Sequence, residues 1–331
     1  MNSKKNIGVV GGGSWATAII KMLCENINSV NWWMRNNETI SHIKDYGHNP
    51  NYISDAVLKK SKLYLSSDIN TIVKNSDFLV FAVPSVFLKS TLKNLTVSIK
   101  NKVVFSAIKG IVPENNTIVG EFFHNQYNVP YKNIGVITGP CHAEEIALER
   151  LSYITVACND VKKAEFFANS LSGRYVKTIV SDDIYGTEYS SVLKNVVALA
   201  SGICHGLGYG DNFQAVLVSN AIREIKRFLD KIHPIDRDIK ESAYLGDLLV
   251  TSYSQFSRNR MFGEMIGRGY SVDSAQLRLK MIAEGYYAVK CISEINEKLN
   301  VNMPITEAVH NILYYKKSAK NQIKRLTAKL N

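Results

Sequence analysis

A four-residue apolar run that breaks into glycines and then into a helical pattern constrains this chain more than any other feature. Ile7–Val10 is followed by Gly11-Gly12-Gly13-Ser14-Trp15-Ala16. The run is short and β-branched, as suits a strand covered on both faces. Beyond the turn, the stretch Trp15–Glu25 reads as a helix. At this place the spacing of Gly11, Gly13 and Ala16 has a physical meaning. The first glycine permits a tight turn, the second lets a pyrophosphate approach the backbone, and the small Ala16 lets helix and strand pack closely. The helix start then offers N–H groups and a positive dipole end to phosphate. Glycine-rich turns are common by themselves. The strand-to-helix context is what makes Gly11, Gly13, Ser14, Trp15 and Ala16 candidate dinucleotide contacts.

The rest of the first half keeps the same rhythm. Further candidate strands are Val30–Met34, Leu63–Ser66, Phe78–Val83, Val103–Ala107, Ile134–Thr138, Tyr153–Ala157 and Tyr175–Val180, with helical stretches such as Lys162–Leu171 between them. That alternation predicts a mainly parallel sheet. After about Asp182 the rhythm stops. Tyr185, Tyr189, Val192, Val196, Leu199, Ile203 and Leu207 form one helical stripe, followed by helical stretches at Phe213–Leu229, Tyr244–Tyr253, Ser274–Leu299 and Ile305–Lys317. Pro304 suits a first helical turn. The expected fold is α/β: an N-terminal Rossmann-type doubly wound sheet over residues 1–182, then an all-helical C-terminal domain over residues 183–331.

Composition narrows the class. The chain has 331 residues, 46% hydrophobic and 21% charged, the balance of a globular protein with a real core. No apolar run approaches the roughly 18 residues of a membrane span, and the opening Met1–Asn6 does not read as a secretory signal. Stable membrane insertion is therefore not expected. Cys24, Cys141, Cys158, Cys204 and Cys291 are scattered, without a Cys-x-x-Cys pair, which fits reduced thiols in a cytoplasm and no metal. The net charge of +11 has a local part: six Lys/Arg and no acid between Lys316 and Lys329. That run reads as the solvated face of a terminal helix, and no zinc-finger, RRM or basic-zipper pattern accompanies it, so nucleic acid is not the expected partner.

A few charged positions carry the chemistry, each with a plainer reading beside it. Lys194 is the only charged residue between Glu188 and His205, inside a helical run. It is either a snorkelling surface lysine or a lysine among small and apolar neighbours. There, lost hydration would move its pKa toward neutrality and suit it to proton transfer for an alcohol/ketone pair. Lys109 closes the strand Val103–Ala107, at the end of a strand where such sheets bind ligands, or else it is a solvated loop residue. Asp247 is the only acid between Glu241 and Glu264. It reads as a helix cap or as a carboxylate that orients Lys194 or a substrate hydroxyl. Ser257-Arg258-Asn259-Arg260 is a polar turn or a phosphate site built on a guanidinium fork. Arg35, after the second strand, stands where an NAD-selective enzyme usually has Asp or Glu; it pairs with an NADP 2′-phosphate or is an exposed loop arginine. Trp32-Trp33 reads as strand core, and Gly206–Asp211 as a turn with Asp211 as N-cap.

Taken in order, the motifs resemble those of the NAD(P)-dependent glycerol-3-phosphate dehydrogenase family. The likeness is carried by Gly-Gly-Gly-Ser-Trp-Ala-Thr-Ala at 11–18, Phe-Ala-Val-Pro-Ser at 81–85, Ile-Lys-Gly at 108–110 and Gly-Pro-Cys-His-Ala-Glu-Glu at 139–145. It continues through Leu-Lys-Asn-Val at 193–196, Gly-Tyr-Gly-Asp-Asn at 208–212 and Leu-Gly-Asp-Leu at 245–248. Ser-Arg-Asn-Arg at 257–260, Glu-Gly-Tyr at 284–286 and Met-Pro-Ile-Thr at 303–306 complete it. The resemblance implies interconversion of sn-glycerol 3-phosphate and dihydroxyacetone phosphate with NAD or NADP, feeding phospholipid synthesis, in a cytoplasmic homodimer. It implies that Lys194 is the proton acceptor, with Lys109 and Asp247 beside it. Substrate contacts would come from Lys109, Gly139, Cys141, Lys194, Asn195, Asp247, Thr251, Ser257, Arg258 and Asn259. Cofactor contacts would add Arg35, Lys109, Ala143, Arg258 and Glu284 to the glycine turn. Two departures stand out: Cys141 where Ser or Thr is usual, and Asn220-Ala221 in place of Arg-Gly. The competing readings are a β-hydroxyacid dehydrogenase, which lacks the Leu-Gly-Asp-Leu and Ser-Arg-Asn-Arg set, and a nucleotide-sensing regulator without turnover.

Overall fold

Eight of the strands in the computed structural model line up in one sheet, and their order shows where a ligand crevice must open. The structure describes residues 5–279 and 282–331. The strands are β1 (Ile7–Val10), β2 (Val30–Trp33), β3 (Leu63–Ser66), β4 (Phe78–Phe81), β5 (Val103–Ser106), β6 (Ile111–Val112), β7 (Thr117–Ile118), β8 (Ile134–Thr138), β9 (Ser152–Cys158) and β10 (Val176–Ser181). The large sheet runs β10-β9-β8-β5-β4-β1-β2-β3. β1 pairs in parallel with β2 (Ile7 opposite Val30) on one side and with β4 (Ile7 opposite Phe78) on the other. The chain therefore winds outward from β1 in both directions, and the crevice of a doubly wound sheet lies beyond the carboxyl end of that strand. The sheet is not wholly parallel: β9 runs antiparallel to β8, and β10 follows β9.

All eight long strands fall where apolar runs predict them. Ile7, Val9, Val10, Val80, Phe81, Val104 and Phe105 have no exposed surface, which is why these runs are continuous rather than alternating. Phe105 stacks on Phe167, ring centroids 4.4 Å apart, seating the helix Val161–Leu171 on the sheet.

The chain divides into two compact units. One comprises everything to Ile108 together with Val119–Ile184, and the other Lys109–Ile118 together with Tyr185–Asn331. The ten-residue excursion carries the two-stranded β6–β7 hairpin, so the second unit is helical apart from this piece. It also places Lys109 with the second unit rather than with the sheet.

The second unit is organised around the helix Ile184–Gly206, buried along nearly its whole length. It packs backbone to backbone on the helix Arg258–Gly267. A Cβ on Gly202 would collide with the Arg260 carbonyl, and one on Gly263 with the Leu199 carbonyl. The single helical stretch expected at Ser274–Leu299 is instead two helices, Val272–Arg278 and Glu284–Leu299; Lys280 and Met281 lie outside the described residues. Leu279 and Ala283 are extended at the break. Gly285, in the first turn of the second helix, sits against the Asn195 carbonyl, where a Cβ would lie 2.6 Å away. The last expected stretch, Ile305–Lys317, is the helix Pro304–Leu313, ending before Lys316, whose φ is 52°. Among the described residues, no helix is long and apolar enough to cross a membrane.

Candidate active site

The glycine turn forms as the sequence reading requires. Gly11 has φ 138°, a conformation L side chains rarely adopt, and a Cβ there would strike the Ala82 carbonyl. Gly13 has nothing within 4 Å of where its Cβ would be, so open space lies beside the backbone. The helix Ser14–Asn26 begins with no side-chain cap bond and no acid in its first turn. An acid-free helix start with an open cradle fits the pyrophosphate of a dinucleotide. Ala16 is fully buried, consistent with close packing of helix and strand.

Three residues outside the glycine motif hold this turn. The Trp32 indole N–H donates to the Gly11 carbonyl at 2.6 Å. Asn49 Nδ2 donates to the Gly12 carbonyl at 3.1 Å and to Thr17 Oγ1 at 2.9 Å. Thr17 donates to the Gly13 carbonyl from both its hydroxyl and its amide, each at 3.0 Å. Reading Trp32 as strand core was right about its burial and missed its polar work. Asn49 gave no signal, being far along the chain from the turn.

Arg35 is exposed beyond β2, and with Asn36, Asn37 and Glu38 it lines a surface depression. Asn36 caps the helix Asn37–Tyr46 by accepting from the amides of Glu38 and Thr39. On the loop after β8, Gly139 has φ 106° and the Cys141 thiol donates to the Gly139 carbonyl at 3.0 Å. Ala143 is buried and opens the short helix Ala143–Ala147.

The second unit brings the charged candidates together. Lys194 Nζ lies 2.5 Å from Asp247 Oδ1 and 2.9 Å from Thr251 Oγ1, while Lys109 Nζ lies 3.4 Å from Asp247 Oδ2. Lys194 is 5% exposed and Asp247 1%, which rules out a snorkelling lysine and a solvent-facing cap. Asp247 opens the helix Asp247–Tyr253 but turns its side chain inward. Thr251 donates its own hydroxyl proton to the Asp247 carbonyl at 2.7 Å, so its oxygen is aimed at the lysine. The neighbourhood of Lys194 is thus more polar than its small and apolar helical neighbours suggest. The Asp247 carboxylate contacts both ammonium groups, and two cations gathered on one carboxylate suit an anionic substrate.

A chain of amides adjoins this cluster. Asn195 Nδ2 donates to the Lys109 carbonyl at 2.7 Å, Asn259 Nδ2 donates to Asn195 Oδ1 at 2.9 Å, and Asn259 Oδ1 accepts from the Gly285 amide at 2.9 Å. Asn259 thereby bridges three helices, with Glu284 at the start of the third. Ser257 is the N-cap of the helix Arg258–Gly267, its Oγ accepting from the Arg260 amide. Arg258 is half-buried, and its Nη1 donates to the Ile282 carbonyl at 3.4 Å.

Outside the cluster, one expectation is revised and one departure is located. Asp211 is the first residue of the helix Asp211–Ile232, with extended Gly210 as the cap position. Asn220 is occupied in bonds to the Val216 carbonyl at 2.9 Å and the Asn331 carbonyl at 2.8 Å.

A doubly wound sheet with a phosphate-ready turn, continued by a helical unit with a buried lysine–carboxylate pair, defines a dinucleotide-dependent dehydrogenase. Comparison with known proteins narrows the class. Residues 6–164 match the family model described as NAD-dependent glycerol-3-phosphate dehydrogenase N-terminus, and residues 183–324 match its C-terminus. The glycerol-3-phosphate dehydrogenase [NAD(P)+] of Agathobacter rectalis is 34% identical over 97% of this chain and 95% of its own length. That of Bacillus velezensis is 31% identical over 98% and 95%. The crystal structure of glycerol-3-phosphate dehydrogenase from Coxiella burnetii superposes with a TM-score of 0.89 at 25% identity, covering 98% of this chain and 99% of that one. This chain belongs to the NAD-dependent glycerol-3-phosphate dehydrogenase family.

Proposed function

We propose that the chain interconverts sn-glycerol 3-phosphate and dihydroxyacetone phosphate with NAD or NADP, supplying glycerol 3-phosphate for phospholipid synthesis. The observation that carries this reading is the buried contact of Lys194 Nζ with Asp247 Oδ1 at 2.5 Å, beside Thr251 and Lys109. A dinucleotide held at the glycine turn would supply or accept the hydride. Lys194 supplies the proton: its ammonium gives one to the ketone oxygen in reduction, and the neutral amine takes one from the C2 hydroxyl in oxidation. Asp247 holds the lysine in place, and the two ammonium groups stabilise charge growing on the substrate oxygen. Arg258 and Asn259 bind the substrate phosphate, with Ser257, Asn195, Gly139 and Cys141 completing the substrate contacts. Because Asn259 already bridges Asn195 and Gly285, it meets the phosphate from a preset orientation.

The glycine turn, with Gly11, Gly13, Ser14, Trp15 and Ala16, holds the pyrophosphate, while Arg35, Lys109, Ala143, Arg258 and Glu284 complete the cofactor contacts. Residues 1–182 bind the dinucleotide and residues 183–331 act on the substrate, with Lys109 joining the latter. The reading extends to a cytoplasmic homodimer, whose oligomeric state sedimentation of the purified protein checks. The deciding experiment follows NADH and NADPH absorbance with the purified chain. Oxidation with dihydroxyacetone phosphate and negligible turnover with unphosphorylated dihydroxyacetone are expected, since Arg258 and Asn259 have no phosphate to bind in the second case. Equal rates with both ketones would reject the assignment.

A further inference from the structure

We infer that Trp32 and Asn49 are positioning residues for the cofactor. With Thr17 they bind the carbonyls of all three turn glycines from behind, so that the turn faces a dinucleotide with N–H donors. The inference rests on the dinucleotide reading of the turn and adds how the turn is made selective for an anion.

The three caging side chains are fully buried. Trp32 lies in β2 and reaches the Gly11 carbonyl. Asn49 comes from the loop after the helix Asn37–Tyr46 and reaches the Gly12 carbonyl. Thr17, one turn into the helix, takes the Gly13 carbonyl with its hydroxyl while accepting from Asn49. The Asn49 carboxamide is itself oriented, because its Oδ1 accepts from the Asn51 amide at 3.1 Å. The cage thus draws one donor from the strand, one from a loop and one from the helix.

The need for such a cage follows from glycine. A run of three glycines has the widest choice of φ and ψ, so its peptide planes turn over at little cost. A plane turned the wrong way would aim a carbonyl oxygen at the pyrophosphate and bury an N–H instead. Each carbonyl that is tied inward settles its plane before the ligand arrives, so less ordering is left for binding to supply. Trp32 and Asn49 suit the task because each is a neutral donor. A lysine or arginine behind the turn would carry a desolvation cost that these do not.

The test uses the full chain with NADH and NADPH as probes. Trp32→Phe keeps the ring and removes the N–H. Asn49→Asp keeps the size and replaces the donor with a carboxylate that repels the Gly12 carbonyl. Kd by calorimetry should rise about tenfold for Trp32→Phe, the scale of one hydrogen bond, and further for Asn49→Asp. The pyrophosphate is common to both cofactors, so their Kd values should rise in parallel, with kcat and the KM for dihydroxyacetone phosphate little changed. Unchanged Kd in folded variants would overturn the inference. So would loss with only one cofactor, or a rise in substrate KM that matches the loss of cofactor affinity, which marks general distortion. If Asn49→Asp does not fold, Trp32→Phe carries the test alone. Calorimetry needs no turnover, so a wild-type protein that binds NADH without reducing the ketone would refute the proposed reaction and leave this inference testable.

Discussion

The glycine turn and the lysine cluster solve opposite problems. The turn is backbone, contiguous over six residues, and its side chains stay out of the way; Gly13 has nothing where a Cβ would be. The cluster is side chain, gathered from Lys109, Lys194, Asp247 and Thr251, which are spread over more than a hundred positions. A turn that binds phosphate needs peptide planes held in one orientation, and neutral buried donors do that. A cluster that moves a proton needs charges held out of water, and only mutual pairing makes that tolerable. On the proposed reading, damage to the first region weakens cofactor binding, and damage to the second slows the reaction or unfolds the unit.

The largest effect should come from Lys194→Ala. Steady-state kinetics should show kcat lowered by about 10²–10⁴-fold, the range for losing a general acid/base. An unchanged kcat in the folded variant would move proton transfer elsewhere, Lys109 being next in line. Asp247→Ala sharpens the contrast through stability, since it removes the buried carboxylate that contacts both ammonium groups. Breaking a buried pair typically costs about 3–5 kcal/mol; Lys109, with its side chain 19% exposed, puts the expectation toward the lower end. Urea unfolding measures it, and a loss under about 1 kcal/mol, the scale of a surface pair, would mean the cluster is not held as described.

Arg35→Ala probes cofactor binding beyond the turn. Only NADPH carries a 2′-phosphate, and a charge-assisted contact of about 1.5–3 kcal/mol is worth roughly ten- to a hundredfold. KM for NADPH should rise by about that factor, with NADH nearly unaffected. Parallel losses would reject the phosphate role in favour of stacking on the adenine. The smallest effect lies away from both regions. Burial holds the His310 imidazole below its ordinary value of 6.5. The folded state then binds this proton less readily than the unfolded chain. Its stabilising contribution is therefore present above pH 6.5 and fades as pH falls through the lower folded value. His310→Asn should flatten the slope of stability against pH in that acidic window while leaving kcat alone; an unchanged slope would contradict the shift.

What the sequence revealed follows the same division. The strands were legible because burial on both faces leaves continuous apolar runs, and Lys194 because a lone charge in a buried helix is conspicuous. Asn49 was not, since its importance comes from reaching a carbonyl 37 residues earlier in the chain, and no local pattern records that. The boundary between the helices Val272–Arg278 and Glu284–Leu299 was hidden because no proline or run of turn formers marks it in the sequence. The β6–β7 hairpin has two residues per strand, too few for any periodicity to show.

The division of labour meets its most direct test in the NADH dissociation constant of Lys194→Ala, measured by calorimetry on the preparation used for kinetics. The account predicts wild-type affinity alongside the collapsed kcat. Loss of NADH binding in proportion to the loss of kcat would contradict it, because the lysine would then be holding the cofactor rather than moving the proton.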